Sequence, residues 1–240
     1  IRAEFKPQND TRLLSSFGVT WAGLDPVTVR ASYSEGYITP TLLQLFSSTT
    51  AGGQGTIFGN PELESETARN FEIGARYEDS GLIFDLGAFY TKSKDYITTT
   101  PCLTVTDYCL NTGTSSVYTN ADRASSYGLE FLVSYELAAT GFTPYFGGSW
   151  MRRELESATF STYNSDTPPL SGRLGVRYEG EVQKLTFWTD LYMRGATSNK
   201  QTYLDTSGLM TENLPSWATL NFAFGGSFGE NERLTFAVNV

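Results

Sequence analysis

The sequence predicts an all-β protein, and more specifically a transmembrane antiparallel up-and-down β-barrel. Three observations predict it: apolar and polar residues alternate with period two along the chain, the connections are short and long in turn, and several strands reach 10 to 15 residues. Strands of soluble proteins are usually shorter. The count is about ten strands, with a further piece at residues 1–6.

The alternation is clearest in residues 27–34. One face carries Val27, Val29, Ala31 and Tyr33, and the other carries Thr28, Arg30, Ser32 and Ser34. The same pattern recurs, in order, from residues 70, 82, 127, 185 and 218. Each of these segments therefore predicts a strand with one apolar and one polar face.

The connections between these strands provide the second signal. Short turns are predicted near residues 24–26, 78–81, 138–141, 179–184 and 229–233, and long loops at about 38–66, 98–119, 157–169 and 200–213. Long loops therefore collect at one end of the sheet, as in outer-membrane barrels with short periplasmic turns. Aromatic residues near strand ends are predicted to form interfacial girdles, and they are Trp21, Tyr37, Tyr77, Tyr90, Tyr135, Trp150, Tyr178 and Trp217.

Composition excludes several functions. The formal net charge is −9, with 17 Lys and Arg against 26 Asp and Glu, which argues against a nucleic-acid partner. The chain has no His, so imidazole catalysis and His-based zinc or haem ligation are excluded within these residues. We predict no catalytic residue, metal site or resident cofactor, and a protein that is not an enzyme, although a catalytic carboxylate pair is formally compatible with the sequence.

Two cysteines, Cys102 and Cys109, lie in a polar Thr-rich stretch. A small disulfide-closed loop in an oxidising compartment is predicted, the alternatives being two free thiols or an incomplete metal site. The chain has no apolar run of the roughly 20 residues that a transmembrane helix needs. It begins and ends within the alternating pattern, so we interpret it as a fragment whose targeting segment lies elsewhere.

Four motifs carry a resemblance to a known family. The first is the strand at 29–42, with Tyr37-Ile38-Thr39-Pro40 in place of a "FRAP" box. The second is similar to "GNPxLxxETxxNxExG" and contains Asn60, Pro61, Glu62, Leu63, Glu66, Thr67, Glu72 and Gly74. The third spans 85–97 and is similar to "YFYxxxxDxI". The fourth is similar to "NxxxAxxxGxE" and contains Gly128 and Glu130. In this order and spacing they resemble the barrel of TonB-dependent outer-membrane receptors, over nearly the whole chain.

The resemblance implies that residues 1–240 are the carboxy-terminal portion of a 22-stranded barrel in the bacterial outer membrane, with the plug domain absent from this chain. Its implied partners are the TonB-ExbB-ExbD system acting through the plug, outer-membrane lipid and lipopolysaccharide, and an iron chelate or haem as ligand. The motif residues, including Pro40, are expected to be structural. Glu72 and Glu130 are expected to face the lumen, where Arg30, Arg76 or plug residues are their candidate partners.

The function that this implies is active import of a scarce nutrient, with a ferric siderophore as the leading choice. A haem receptor of the same family is the alternative, weakened because residues 41–59 contain no His. A porin-like passive channel, a soluble all-β binding protein and an outer-membrane enzyme are rivals of other classes. Candidate ligand contacts in the long loops are Leu45, Phe46, Phe58 and Tyr108, and loop anchoring or protection from proteases are their alternative roles.

Overall fold

A computed structural model describes residues 12–50, 56–102, 108–109, 115–156, 161–205, 208–228 and 234–239. The predicted piece at residues 1–6 lies outside them. The strands are β1 (Ser16–Leu24), β2 (Val27–Ile38), β3 (Ser48–Thr50), β4 (Thr56–Phe58), β5 (Glu66–Asp79), β6 (Leu82–Pro101), β7 (Ser116–Tyr135), β8 (Phe142–Glu156), β9 (Ser161–Thr162), β10 (Leu170–Val182), β11 (Leu185–Ala196), β12 (Asn199–Asp205), β13 (Gly208–Leu214), β14 (Trp217–Phe228) and β15 (Leu234–Asn239). One short helix, α1 (Leu42–Phe46), precedes β3.

Ten of these strands form one antiparallel up-and-down sheet, which confirms the predicted fold class and strand count. Their order across the sheet is β1-β2-β5-β6-β7-β8-β10-β11-β14-β15, so each long strand pairs with the next long strand along the chain. Neighbouring strands reverse direction, which places all the long connections at one end of the sheet, here called the long-loop end. Within the described residues no helix is long and apolar enough to cross a membrane.

The register aligns the apolar residues of all ten strands on one side, here called the apolar face. Ile73, Ala88, Leu129 and Trp150, for example, lie in one row across four strands. The predicted alternation is thus satisfied in every strand at once, because a shift by one residue would move a whole strand's apolar set to the other face. The opposite side, here called the polar face, carries the charged networks described below.

The connections largely follow the prediction. Turns of a few residues join β1 to β2, β5 to β6, β7 to β8 and β10 to β11. Two long-loop predictions are wrong in detail. The connection predicted at 98–119 is shorter, because β6 runs to Pro101 and β7 starts at Ser116. Residues 200–213, predicted to be a loop, form the hairpin β12–β13, a separate two-stranded sheet.

The helix α1 was not predicted, although the sequence carries a signal for it. Thr41 and Gln44 form a capping box, in which the Thr41 hydroxyl accepts from the Gln44 N–H and the Gln44 side chain accepts from the Thr41 N–H. A Thr followed three residues later by Gln is the expected signature of such a start. With five residues the helix is too short to show helical periodicity, so period alone could not find it.

Candidate functional site

The long loop between β2 and β5 is folded back against its neighbours. The Gly59 N–H donates to the Ser47 carbonyl at 2.7 Å, and the Asn60 N–H donates to the Gln44 carbonyl at 2.8 Å. A Cβ on Gly59 would come within 2.7 Å of the Phe46 backbone nitrogen, so only glycine fits at this close approach. The motif glycine therefore closes α1 onto the strand β4.

Asn60 and Asn120 connect this loop to β7. The Asn60 side-chain amide donates to the Tyr118 carbonyl at 3.1 Å, and its oxygen accepts from the Glu62 N–H at 2.9 Å. The Asn120 oxygen accepts from the Glu64 N–H, while its amide donates to the carbonyls of Glu64 and Asp95. Two asparagines thus replace a regular strand pairing, because each offers both donors and acceptors to backbone groups.

The remaining motif residues lie at positions that fit a structural role. Leu63 is fully buried and Pro40 is buried, whereas Pro61 and Glu62 are exposed at the turn. Glu66 and Thr67 begin β5, opposite Ile38 and Tyr37 of β2. This placement favours the structural interpretation of the motif over direct ligand contact.

A small core lies beneath the loop. Cys102 and Cys109 form a disulfide, which confirms that prediction, and both are buried with Phe58 and the partly buried Val117. Phe58 is only 6% exposed. Of the two roles proposed for Phe58, its burial favours loop anchoring, and the disulfide joins the end of β6 to the same core.

We expect Asn120→Ala to loosen this loop by about 2 kcal/mol, since three hydrogen bonds to backbone groups are lost and each contributes roughly 1 kcal/mol or less where water can replace it. Limited proteolysis of the intact protein measures it as faster cleavage within residues 39–65. Asn70→Ala is the matched control, because its amide donates only to the Ser34 hydroxyl within the described residues. Equal cleavage rates for both variants would contradict the assigned role.

An apolar patch is exposed at the long-loop end. Leu42, Leu43 and Phe46 of α1 are 70%, 44% and 48% exposed, while Leu45 is half-buried. Tyr108 is also half-buried, next to the disulfide. These exposed side chains stand on a loop that is fixed by the contacts above, so the patch is presented in a defined place.

The polar face holds a charge network near its middle. Arg30 of β2 makes two hydrogen bonds to Asp85 of β6, at 2.6 and 3.0 Å, and Arg76 lies 3.9 Å from the same carboxylate. The Arg30 partner is therefore Asp85 rather than the predicted Glu72 or Glu130. Glu72 instead accepts a long hydrogen bond of 3.5 Å from the Ser32 hydroxyl.

Glu130 is exposed on the polar face, opposite Gly87 and Ser149. Among the described residues it forms no ion pair, so neither Arg30 nor Arg76 neutralises it. Plug residues, the other partner considered for Glu130, stay a prediction.

A second network on the polar face was not predicted. Asp190 of β11 is buried, accepts from the Tyr145 hydroxyl at 2.8 Å and pairs with Arg173 at 2.7 Å. The Arg173 guanidinium lies over the rings of Tyr145 and Tyr192, at 5.1 and 3.7 Å. The sequence signal was present, because these residues occupy polar-face positions of three adjacent strands, but their register is needed to bring them together.

Cation–π pairs lie at the long-loop end. The Arg153 guanidinium lies 5.1 Å from the Tyr96 ring, and that of Arg194 lies 5.6 Å from the Trp217 ring. Trp217 alternates with Ala218 of the apolar face, so it lies on the polar face beside Arg194, and its predicted place in an interfacial girdle is wrong.

Beyond the strands, the pKa of Tyr163 is raised because its hydroxyl bonds to Glu154 and that negative charge disfavours the phenolate.

No group of three or more His, Cys, Asp or Glu side chains is arranged to hold a metal ion within the described part of the chain. What the site offers is an exposed apolar patch, arginine–aromatic pairs at the same end and charge networks along the polar face. Together with the alternating strands and the loop asymmetry, these features define a membrane-type β-sheet with one apolar and one polar face. The class is that of outer-membrane β-barrels.

The comparisons with known proteins agree. Residues 2–240 match the family model described as TonB dependent receptor-like, beta-barrel, and the chain belongs to this family, whose members lie in the outer membrane. A curated relative, the iron-regulated outer membrane virulence protein of Vibrio cholerae, is 29% identical over 207 residues. That match covers 83% of this chain and 27% of the relative, so the chain spans about a quarter of its length.

Solved structures share the fold. The FrpB iron transporter from Neisseria meningitidis gives a TM-score of 0.67 at 18% identity, over 95% of this chain and 34% of that one. The ferric enterobactin receptor PfeA of Pseudomonas aeruginosa gives 0.64 at 18%, over 94% and 34%. The siderophore receptor PirA of Acinetobacter baumannii gives 0.61 at 15%, over 90% and 35%. These similarities extend the family assignment to the three-dimensional arrangement of the strands.

Proposed function

We propose that this chain is the carboxy-terminal portion of the barrel of a receptor that imports a ferric siderophore. The whole receptor would include a plug, draw energy from TonB, ExbB and ExbD, and be surrounded by outer-membrane lipid and lipopolysaccharide. The observation that carries the proposal is the exposed apolar patch on α1, held at the long-loop end of a barrel of this family. Names of relatives that include iron or siderophore transport support it.

The chemistry of the long-loop end favours an anionic aromatic chelate. Arg153 and Arg194 lie beside the rings of Tyr96 and Trp217, so positive charge and flat apolar surface occur together. A ferric catecholate complex carries both negative charge and aromatic rings. Leu45, Phe46 and Tyr108 stay predicted contacts for such a ligand, whereas Phe58 supports the loop from below.

The test is uptake of radioactive iron by a strain that lacks the gene and carries it on a plasmid. Iron is supplied in turn as a catecholate siderophore, a hydroxamate siderophore and haem. We expect the gene to restore catecholate uptake only, and a strain without TonB to lose that uptake. If the gene restored only haem uptake, the substrate would be haem rather than a ferric siderophore. Uptake that persists without TonB would indicate a passive channel.

We expect the double substitution Leu43→Ser, Phe46→Ser in the intact receptor to weaken binding of the ferric siderophore about 30-fold. Each side chain is about half exposed in this structure, and covering it with ligand contributes on the order of 1 kcal/mol. Binding is measured by fluorescence quenching on whole cells. Val182→Ser, an exposed apolar residue at the opposite end of the sheet, is the control and should leave affinity unchanged. Unaltered affinity of the double variant would remove α1 from the binding site.

A further inference from the structure

The helix α1 carries the exposed apolar patch but is not held in place by its own side chains. None of its residues is buried, so its position depends on the chain that follows it. There the strands β3 and β4 form a hairpin in which Ser48 pairs with Phe58. The Gly59 N–H then donates back to the Ser47 carbonyl, next to the end of the helix. The helix α1 and the strands β3 and β4 therefore form one body, here called the loop unit.

The loop unit is joined to β7 through β4. Phe58 pairs in parallel with Val117 near the start of β7, but this pairing covers only two residues of each strand. The buried Phe58 side chain supplies the rest of the attachment. It packs in a core with Cys102 and Cys109, which are 1% and 4% exposed, and with the partly buried Val117. Two of the four side chains of this core are therefore the two halves of the disulfide.

The two cysteines come from different parts of the chain around this core. Cys102 directly follows β6, and its N–H donates to the Ser115 carbonyl at 2.9 Å, so it is fixed to the end of the β6–β7 pair. Cys109 lies in the connection between these strands and is tied to the same end by its bond to Cys102. Where few apolar side chains are available, a covalent bond takes the place of a larger core. The bridge thus holds one wall of the Phe58 pocket.

We propose that the Cys102–Cys109 bridge is a positioning group for the ligand patch on α1, although both cysteines are too buried to touch a ligand. The bridge holds Phe58, Phe58 holds β4, and β4 carries α1. Without the bond the loop unit can move away from β7, and the apolar patch loses its fixed place relative to the arginine–aromatic pairs. This inference rests on the proposed function, because it gives the bridge a part in holding the siderophore site.

Ligand binding and closure of the bridge are then linked in both directions. If the bridge strengthens binding at α1, bound ligand must favour the closed bridge by the same factor. Because both cysteines are buried, a thiol reaches them only when the loop unit loosens. We expect saturating ferric siderophore to slow reduction of the bridge about tenfold, whereas a bond without influence on the site would be reduced equally fast with and without ligand.

The first test needs no ligand. Intact receptor is treated with dithiothreitol, which reduces the bridge to two thiols and is itself oxidised to a cyclic disulfide, and the thiols are capped with iodoacetamide. Limited proteolysis then follows cleavage within residues 39–65. We expect about tenfold faster cleavage after reduction, within the roughly 60-fold that the chain-entropy model gives for so short a closed loop. Heat-modifiable gel mobility verifies that the barrel stays folded.

Two variants accompany the reduction. Cys102→Ala, Cys109→Ala keeps apolar side chains but removes the bond, so we expect it to be cleaved like reduced wild type and to show no further change with dithiothreitol. Asn164→Ala is the matched control, because it removes a hydrogen bond to the Thr202 hydroxyl and so loosens a different long loop. It should leave cleavage within residues 39–65 unchanged. Wild-type cleavage rates in the double alanine variant would overturn the inference, as would equally fast cleavage in the control.

The second test measures binding of a ferric catecholate siderophore to whole cells that carry the same proteins. We expect about tenfold weaker binding without the bridge, matching the protection from reduction, and unchanged binding for the control. Faster cleavage with unchanged affinity would overturn the role of the bridge in binding. A wild-type receptor that binds no ferric siderophore would instead contradict the proposed function, while the cleavage rates still decide whether the bridge holds the loop unit.

Discussion

Phe222→Arg should destabilise the barrel in a lipid bilayer by about 2–4 kcal/mol, the cost of an arginine facing lipid near the membrane midplane. Phe222 lies at the centre of β14, on the apolar face opposite Leu191 of β11. Its side chain has no polar partner within reach along the strand, since Leu220 and Phe224 flank it on the same face. The guanidinium would therefore have to distort the bilayer or stay unsolvated.

The matched control is Asn221→Arg, one residue earlier on the polar face. There the guanidinium meets water, so we expect a change of less than about 1 kcal/mol. Both variants of the intact receptor are unfolded by urea in lipid vesicles, and the free energies of unfolding are compared with that of wild type. If Asn221→Arg cost as much as Phe222→Arg, the assignment of the two faces would be wrong.

The alternation and the loop asymmetry were enough to predict the fold and the strand count, because a period of two and a sheet buried on one face constrain every residue in a strand. They also placed Phe71 and Tyr90 on the correct face. Trp217 was assigned to a girdle from its position near a strand end, although the alternation that begins at residue 218 already places it on the polar face.

The side-chain contacts between different strands could not be predicted from the sequence. Whether Arg30 pairs with Asp85 or with Glu72 depends on the register between β2, β5 and β6. Gly74 lies on β5, between the strands of Arg30 and Asp85, and leaves room for the guanidinium. The roles of Asn60 and Asn120 in holding the loop depend likewise on residues more than fifty positions away. The Cys102–Cys109 bridge was predictable because its partners are close in sequence.

The cations at the long-loop end of β6 and β7 show what the alternation of single strands cannot predict. Lys92 and Lys94 continue the apolar positions of β6, and Arg123 does the same on β7. Considered one strand at a time, such residues simply mark where a strand leaves the membrane. Only the register of β6 and β7 shows that Lys94 and Arg123 lie opposite one another.

Gly128→Ala should cost about 3 kcal/mol, at the upper end of the penalty for inserting a methyl group into a packed site. Gly128 is buried on the polar face of β7, between Phe89 of β6 and Met151 of β8. An added Cβ would run into the backbone carbonyl oxygen of Trp150 and would lie 2.8 Å from the Phe89 ring. The carbonyl belongs to the sheet and cannot move without breaking the pairing of β7 with β8.

Gly74→Ala is the informative comparison, since Gly74 is also a buried motif glycine. Its added Cβ would lie 2.8 Å from the Arg30 guanidinium carbon, the far end of a flexible side chain that can shift. Replacing glycine by alanine within a strand also gains roughly 0.5–1 kcal/mol, which offsets much of that adjustment. We therefore expect Gly74→Ala to change the free energy of unfolding by about 1 kcal/mol or less. Similar losses for the two variants would mean that both glycines serve backbone conformation rather than the space beside them.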